Sequence, residues 1–226
     1  SISVSGELDS RSAQQFSTMT FTDLAGTEIE IMNIERALGK KFETKILLGT
    51  RATETAVKEI NDPKILHIAT HGFFIETKKD TSEKRSKDLN SMLRSGLVLA
   101  GSTSYFKAEE KPDTDDGILT AFEATNLNLD NTDLVVLSAC ETGLGELSAG
   151  EGVYGLQRAL KIAGAKTTLM SLWTVDDDAT QGLMSLFYQY YAKTNDARSS
   201  FRKAQSELRK KYPEPYFWGA FVMVGK

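Results

Sequence analysis

The chain has 226 residues and a mass of 24.9 kDa; 40% are hydrophobic and 26% charged, a balance that supports a buried core in one large or two small domains. Its net charge is −4, from 27 Lys and Arg against 31 Asp and Glu, which argues against nucleic acid as a direct partner because neutralising phosphates needs a basic face. No run of about 18 apolar residues predicts a membrane span, and one Cys with two His excludes a disulfide framework and argues against a protein-only zinc site.

The opening SISVSGELDS has neither an initiator Met nor the basic start and apolar core of a signal peptide. The expectation is a polar tail over 1–20 and one domain over 21–226, taken from a longer protein and working in the reducing cytoplasm. Thr27-Glu28-Ile29-Glu30 has the spacing of a capping box, with Ile31, Ile34 and Leu38 on one helical face and Gly39 placed to stop the helix. Residues 42–48 read as a strand and 53–60 as a short helix. The apolar run Ile65-Leu66-His67-Ile68-Ala69-Thr70 predicts a buried strand ending in His71-Gly72. A charged stretch, 76–90, reads as a mobile surface loop.

A short strand is expected over 96–100, an acidic loop over 109–116 and a helix over 120–127. Leu134-Val135-Val136-Leu137-Ser138-Ala139 is the clearest buried strand, and it ends at Cys140. Ser148 to Glu151 opens a helix with Val153, Leu156, Leu160 and Ala163 on its apolar stripe, closed by Gly164. A strand over 167–173 and two helices follow. Ala179, Leu183, Leu186, Phe187 and Tyr190 line the first helix; Phe201, Ala204 and Leu208 line the second. Residues 221–224 make a last strand. The basic residues Arg198, Arg202, Lys203, Arg209, Lys210 and Lys211 have the spacing of a solvated helix side. Strands apolar on both faces, alternating with helices, predict an α/β fold with a mainly parallel sheet covered on both sides.

In such a sheet, ligands bind beyond the carboxyl ends of the strands. His71 and Cys140 each follow a central strand candidate, and Asp176-Asp177-Asp178 follow a third. A lone Cys is usually a small buried hydrophobe, and a His near a strand end is usually structural. Together, at corresponding strand ends, they fit a nucleophile and its acid/base partner. The thiolate would attack a carbonyl while the imidazolium protonates the leaving amine; Gly72 suits an oxyanion donor because nothing crowds its N–H. His67, inside the apolar run, is expected to be a core residue donating to backbone or to a neighbouring strand. Glu141 would raise rather than lower the pKa of the adjacent thiol, so no catalytic part falls to it. Thr142, Gly143 and Gly145 fit a tight loop after Cys140.

Ile65 to Phe74 and Leu134 to Gly143 resemble the two signature blocks of CHAT domains, caspase-fold cysteine peptidases related to caspases, separases and metacaspases. The resemblance continues through Gly150 to Val153, Ala163-Gly164-Ala165, Ser171 to Asp177 and Phe217 to Phe221. It implies a caspase-like αβα sandwich and a regulated cysteine endopeptidase with a His71–Cys140 dyad. The amides of Gly72 and Cys140 would form the oxyanion hole, with no metal and no cofactor. It implies a protein substrate and a sensor or helical-repeat region, in the same or an associated chain, as partners, and a place in prokaryotic defence. Acidic residues near Asp176 and Asp177 in separases and metacaspases imply a pocket for Lys or Arg. Ser138, two residues before the nucleophile, stands where arginine-directed relatives carry Asp and caspases carry Gln. One of the three Asp is also expected to cap the helix beginning near Ala179, Asp178 before Asp176.

Two other readings fit parts of the sequence. Gly150-Glu151-Gly152-Val153-Tyr154-Gly155 matches the dinucleotide-binding G-x-G-x-x-G, although a long loop separates it from the preceding strand. A latent or non-catalytic interaction module on a caspase-like fold is the other.

Overall fold

A computed structural model describes residues 21, 24–75, 91–107, 115–141, 149–173 and 175–225. The chain begins with α1 (Ala25–Leu38), a single 3-10 turn (Gly49–Arg51) and the short α2 (Glu54–Lys58). The central strand β1 (Ile65–Phe74) leads to β2 (Ser95–Val98), α3 (Ser102–Lys107), β3 (Ile118–Thr120) and α4 (Ala121–Ala124). Then come β4 (Leu134–Glu141), α5 (Ala149–Ile162), β5 (Thr167–Ser171), α6 (Asp177–Thr194), α7 (Ala197–Lys211), α8 (Pro215–Trp218) and β6 (Phe221–Gly225).

The six strands form one sheet in the order β3-β2-β1-β4-β5-β6. β1, β4 and β5 are parallel, and antiparallel strands flank this centre on both sides. The apolar runs are continuous because both faces are covered. Leu66, Ile68, Val135 and Leu137 pack with Val57 of α2, Ala121 of α4 and Leu156 and Leu160 of α5. Leu134, Val136 and Leu169 pack on the opposite face with Ile34 of α1, Leu183 and Phe187 of α6 and Phe201 of α7. Val135 and Val136 are both fully buried, one toward each layer. Each such side chain contributes about 1.5–3 kcal/mol when taken from water. The result is the expected αβα sandwich.

The structure departs from the sequence expectations in definite places. β1 does not stop at Thr70: His71 to Phe74 pair antiparallel with Val98 to Ser95, which carries the strand four residues further. Residues 43–48 have no regular secondary structure, because no described strand offers them a ladder. The three-residue β3 was not expected and ends on Thr120, the first residue of the expected helix; Thr120 is the N-cap, in a capping box with Glu123, and the helix itself is only Ala121–Ala124. α1 begins earlier than its Thr27–Glu30 signal. Thr27 donates from Oγ1 to the Leu24 carbonyl, and Glu30 is free of capping duty. Gly164 closes α5 in the left-handed region (φ 107°), where a Cβ would stand 2.5 Å from Asp130. The tail over 1–20, the loop 76–90, Ser148 and the loop residues Thr142, Gly143 and Gly145 lie outside the described residues, as does most of the acidic loop 109–116.

Candidate active site

The parallel ladder between β1 and β4 runs without interruption from Ile65↔Leu134 to Gly72↔Glu141, and within it His71 pairs with Cys140. Neighbouring strands lie about 4.8 Å apart, and paired positions fall on the same face of the sheet. Both residues were expected just past their strands. They lie inside the strands, as the last pair but one of the β1–β4 ladder, because β2 extends β1 and the extended β1 in turn holds the end of β4. His71 is half-buried, with the Phe21 ring 5.4 Å from its own. Gly72 is buried in the sheet, with Leu97 of β2 and Glu141 of β4 as ladder partners.

Beneath this pair lies a polar cluster that the sequence did not reveal as a unit. Glu30 of α1 is 3% exposed and reaches two strands at once. His67 Nε2 lies 2.9 Å from its Oε1, and Ser138 Oγ donates to its Oε2 at 3.2 Å. On the other side of the ring, His67 Nδ1 is 3.0 Å from the hydroxyl of the fully buried Tyr188 on α6. Burial first, and then the Glu30 charge, raise the Tyr188 phenol well above its ordinary range, so it remains a proton donor. His67 was expected to serve backbone or a neighbouring strand. It is a core histidine, but its partners are side chains on two helices. Ser138 is buried and turned to Glu30.

Asp176, Asp177 and Asp178 are exposed at the carboxyl edge beyond β5. Asp176, rather than Asp178, is the N-cap of α6, accepting from the Ala179 N–H at 3.1 Å. Asp177 and Asp178 occupy the first turn, where negative charge opposes the helix dipole favourably. Trp173 stands nearby, 37% exposed, its indole N–H donating to the Tyr216 carbonyl at 3.1 Å.

The glycine motif lies wholly inside α5, and a Cβ on Gly155 would come within 2.6 Å of Ser95 Oγ. These glycines open no strand-to-helix turn, and Gly155 allows α5 to approach β2. Among the described residues, no group of three or more His, Cys, Asp and Glu is arranged to hold a metal ion. Nor is any helix among them long and apolar enough to cross a membrane.

The CHAT domain family matches residues 2–226. The chain belongs to the CHAT domain family. CHAT domains are caspase-like, in accord with the sandwich and its parallel centre. The chain is also similar to tetratricopeptide repeat protein 28 of Homo sapiens, 29% identical over 192 residues, which are 79% of this chain and 8% of that protein. This CHAT domain therefore spans a small fraction of the relative it matches.

Proposed function

We propose that this CHAT domain is a regulated cysteine endopeptidase with Cys140 as nucleophile and His71 as acid/base. The observation that carries the reading is the His71↔Cys140 pairing at the carboxyl ends of adjacent parallel strands, within a caspase-like family. The Cys140 thiolate attacks the scissile carbonyl carbon, and the His71 imidazolium protonates the leaving amine. Water then attacks the thioester, His71 takes its proton, and the acid product departs as the thiol is restored. The amides of Cys140 and Gly72 are the donors assigned to the developing oxyanion, at neighbouring positions of the β1–β4 ladder.

Asp176 and Asp177 are assigned to a substrate Lys or Arg, which shares this edge with Lys211, an exposed cation within the influence of Asp178 and Asp176. Ser138 moves in this reading from pocket wall to the framework beneath. The similarity to a tetratricopeptide repeat protein supports a helical-repeat region as the regulating partner of a protein-cutting domain.

The test is intact-mass analysis after exposure to peptide electrophiles with Arg, Lys, Met, Leu or Asp at P1. Stoichiometric labelling by the Arg or Lys probe is expected in the parent. It should be lost in Cys140→Ala and His71→Ala, both remaining folded. Peptide cleavage retained in Cys140→Ala would overturn the mechanism, and labelling by the Asp probe alone would overturn the basic pocket.

A further inference from the structure

The Glu30 cluster belongs to neither the capping box the sequence predicted nor the chemistry just proposed, yet it occupies the layer under the dyad. On β1, His67 and His71 share a face; on β4, Ser138 and Cys140 do, with Ala69 paired to Ser138 between them. Ser138 lies two residues before Cys140, about 6.6 Å at 3.3 Å per residue in a parallel strand. A single carboxylate from α1 therefore ties the two strands together one pleat below their paired ends.

The hydrogen bonds can run in one direction through the cluster. Among the described residues, His67 Nδ1 is the hydrogen-bond partner of Tyr188 Oη. With the Tyr188 hydroxyl donating to Nδ1, Nε2 is the ring nitrogen that donates to Glu30. Ser138 donates to the other carboxylate oxygen. His67 and Ser138 each meet one Glu30 oxygen, so the cluster needs a planar, two-pronged group at this position, and the Ser138 hydroxyl can turn to donate or to accept.

We infer that Glu30, with His67 and Ser138, is a positioning group that holds β1 and β4 in register so that His71 and Cys140 remain paired. The inference rests on the dyad reading above. Two consequences separate it from plain stability. Removing the side chain uncouples the strands. Replacing it with the isosteric amide does not, because Gln accepts from His67 through its carbonyl and donates to Ser138 through its NH2.

The single Cys provides the readout. The rate of alkylation by iodoacetamide, followed against pH by intact mass, reports thiolate formation and its dependence on His71. The parent is expected to react at neutral pH faster than His71→Ala, whose profile follows an ordinary thiol near pH 8.5. Glu30→Ala should fall about tenfold or more toward His71→Ala, a loss in keeping with small misplacements of reacting groups. Glu30→Gln should stay within about threefold of the parent. Ser138→Ala, which removes one bond and no charge, should slow the reaction measurably; it decides the matter if Glu30→Ala does not fold. A folded Glu30→Ala or Ser138→Ala with the parental profile would overturn the positioning role while leaving the dyad standing. A parent that reacts like His71→Ala would overturn both.

Discussion

Glu54 is 2% exposed and shares one ammonium, Lys58, with two other carboxylates, Asp115 and Glu123. Burial pushes its carboxyl up to about 7 against the Lys58 contact at 2.5 Å, and the charges of Glu123 and Asp115 push the same way. Burial works against the Lys58 charge too, but its bonds to Glu54 and Glu123 hold the ammonium above its ordinary range. Asp116 is raised by the same burial. The folded state thus keeps a proton on Glu54 that the unfolded chain, titrating near 4.5, has released. Stability should fall as pH rises from about 4.5 to about 7. Denaturant titrations across that window should show a shallower fall for Glu54→Gln, in which Lys58 retains Asp115 and Glu123. Parallel curves would refute it. Residue-scale roles of this kind were the least legible in the sequence. Glu30 had the spacing of a capping residue and His67 sat in an apolar run, yet their partners lie 37 and 121 residues from His67. No local pattern contains such a contact.

At the scale of the element, local chemistry was a better guide. The buried runs of β1 and β4 announced themselves because sheets covered on both faces need uninterrupted apolar residues. β3 was missed because three residues carry no period of their own and lead directly into the Thr120 cap. Residues 42–48 have strand-like composition, but a strand is defined by its partner. Asp176 gives the element-scale prediction. It holds the Ala179 N–H through Oδ1, and removing an N-cap costs about 1 kcal/mol. Asp176→Ala should therefore lose about 1 kcal/mol in urea denaturation, and Asp176→Asn, which can still accept the bond, should lose less. An equal loss in both would mean the carboxylate charge matters more than the cap. Gly164→Ala should cost more than either at equilibrium, since it meets both a positive φ and the Asp130 backbone.

Across the whole molecule, the sandwich was legible as a class, and the common edge of the three parallel strands followed from it. The sheet order and the one-to-one register of β1 with β4 were not, because pairing between distant strands is settled by the assembled core. β4 sits between two parallel neighbours, and Val135 and Val136 are fully shielded. Its amides should therefore exchange with deuterium most slowly, and those of the edge strands β3 and β6 sooner. Faster exchange in β4 than in β6 would contradict this order of local stability.

The Glu30 cluster also has a history written into its sequence separations. Its links span 37, 108 and 121 residues, the last to Tyr188 near the far end of the chain. Contacts of this span are slow to close, because the entropy of each loop is lost before any pairing compensates it. During synthesis, β1 leaves the ribosome with its histidine long before the strand that brings the thiol. His67 can meet Glu30 early, Ser138 only after β4 has emerged, and Tyr188 last of all. The proposed cleavage activity thus waits until the chain has emerged beyond Tyr188, and a nascent segment that ends before β4 carries the histidine without the thiol.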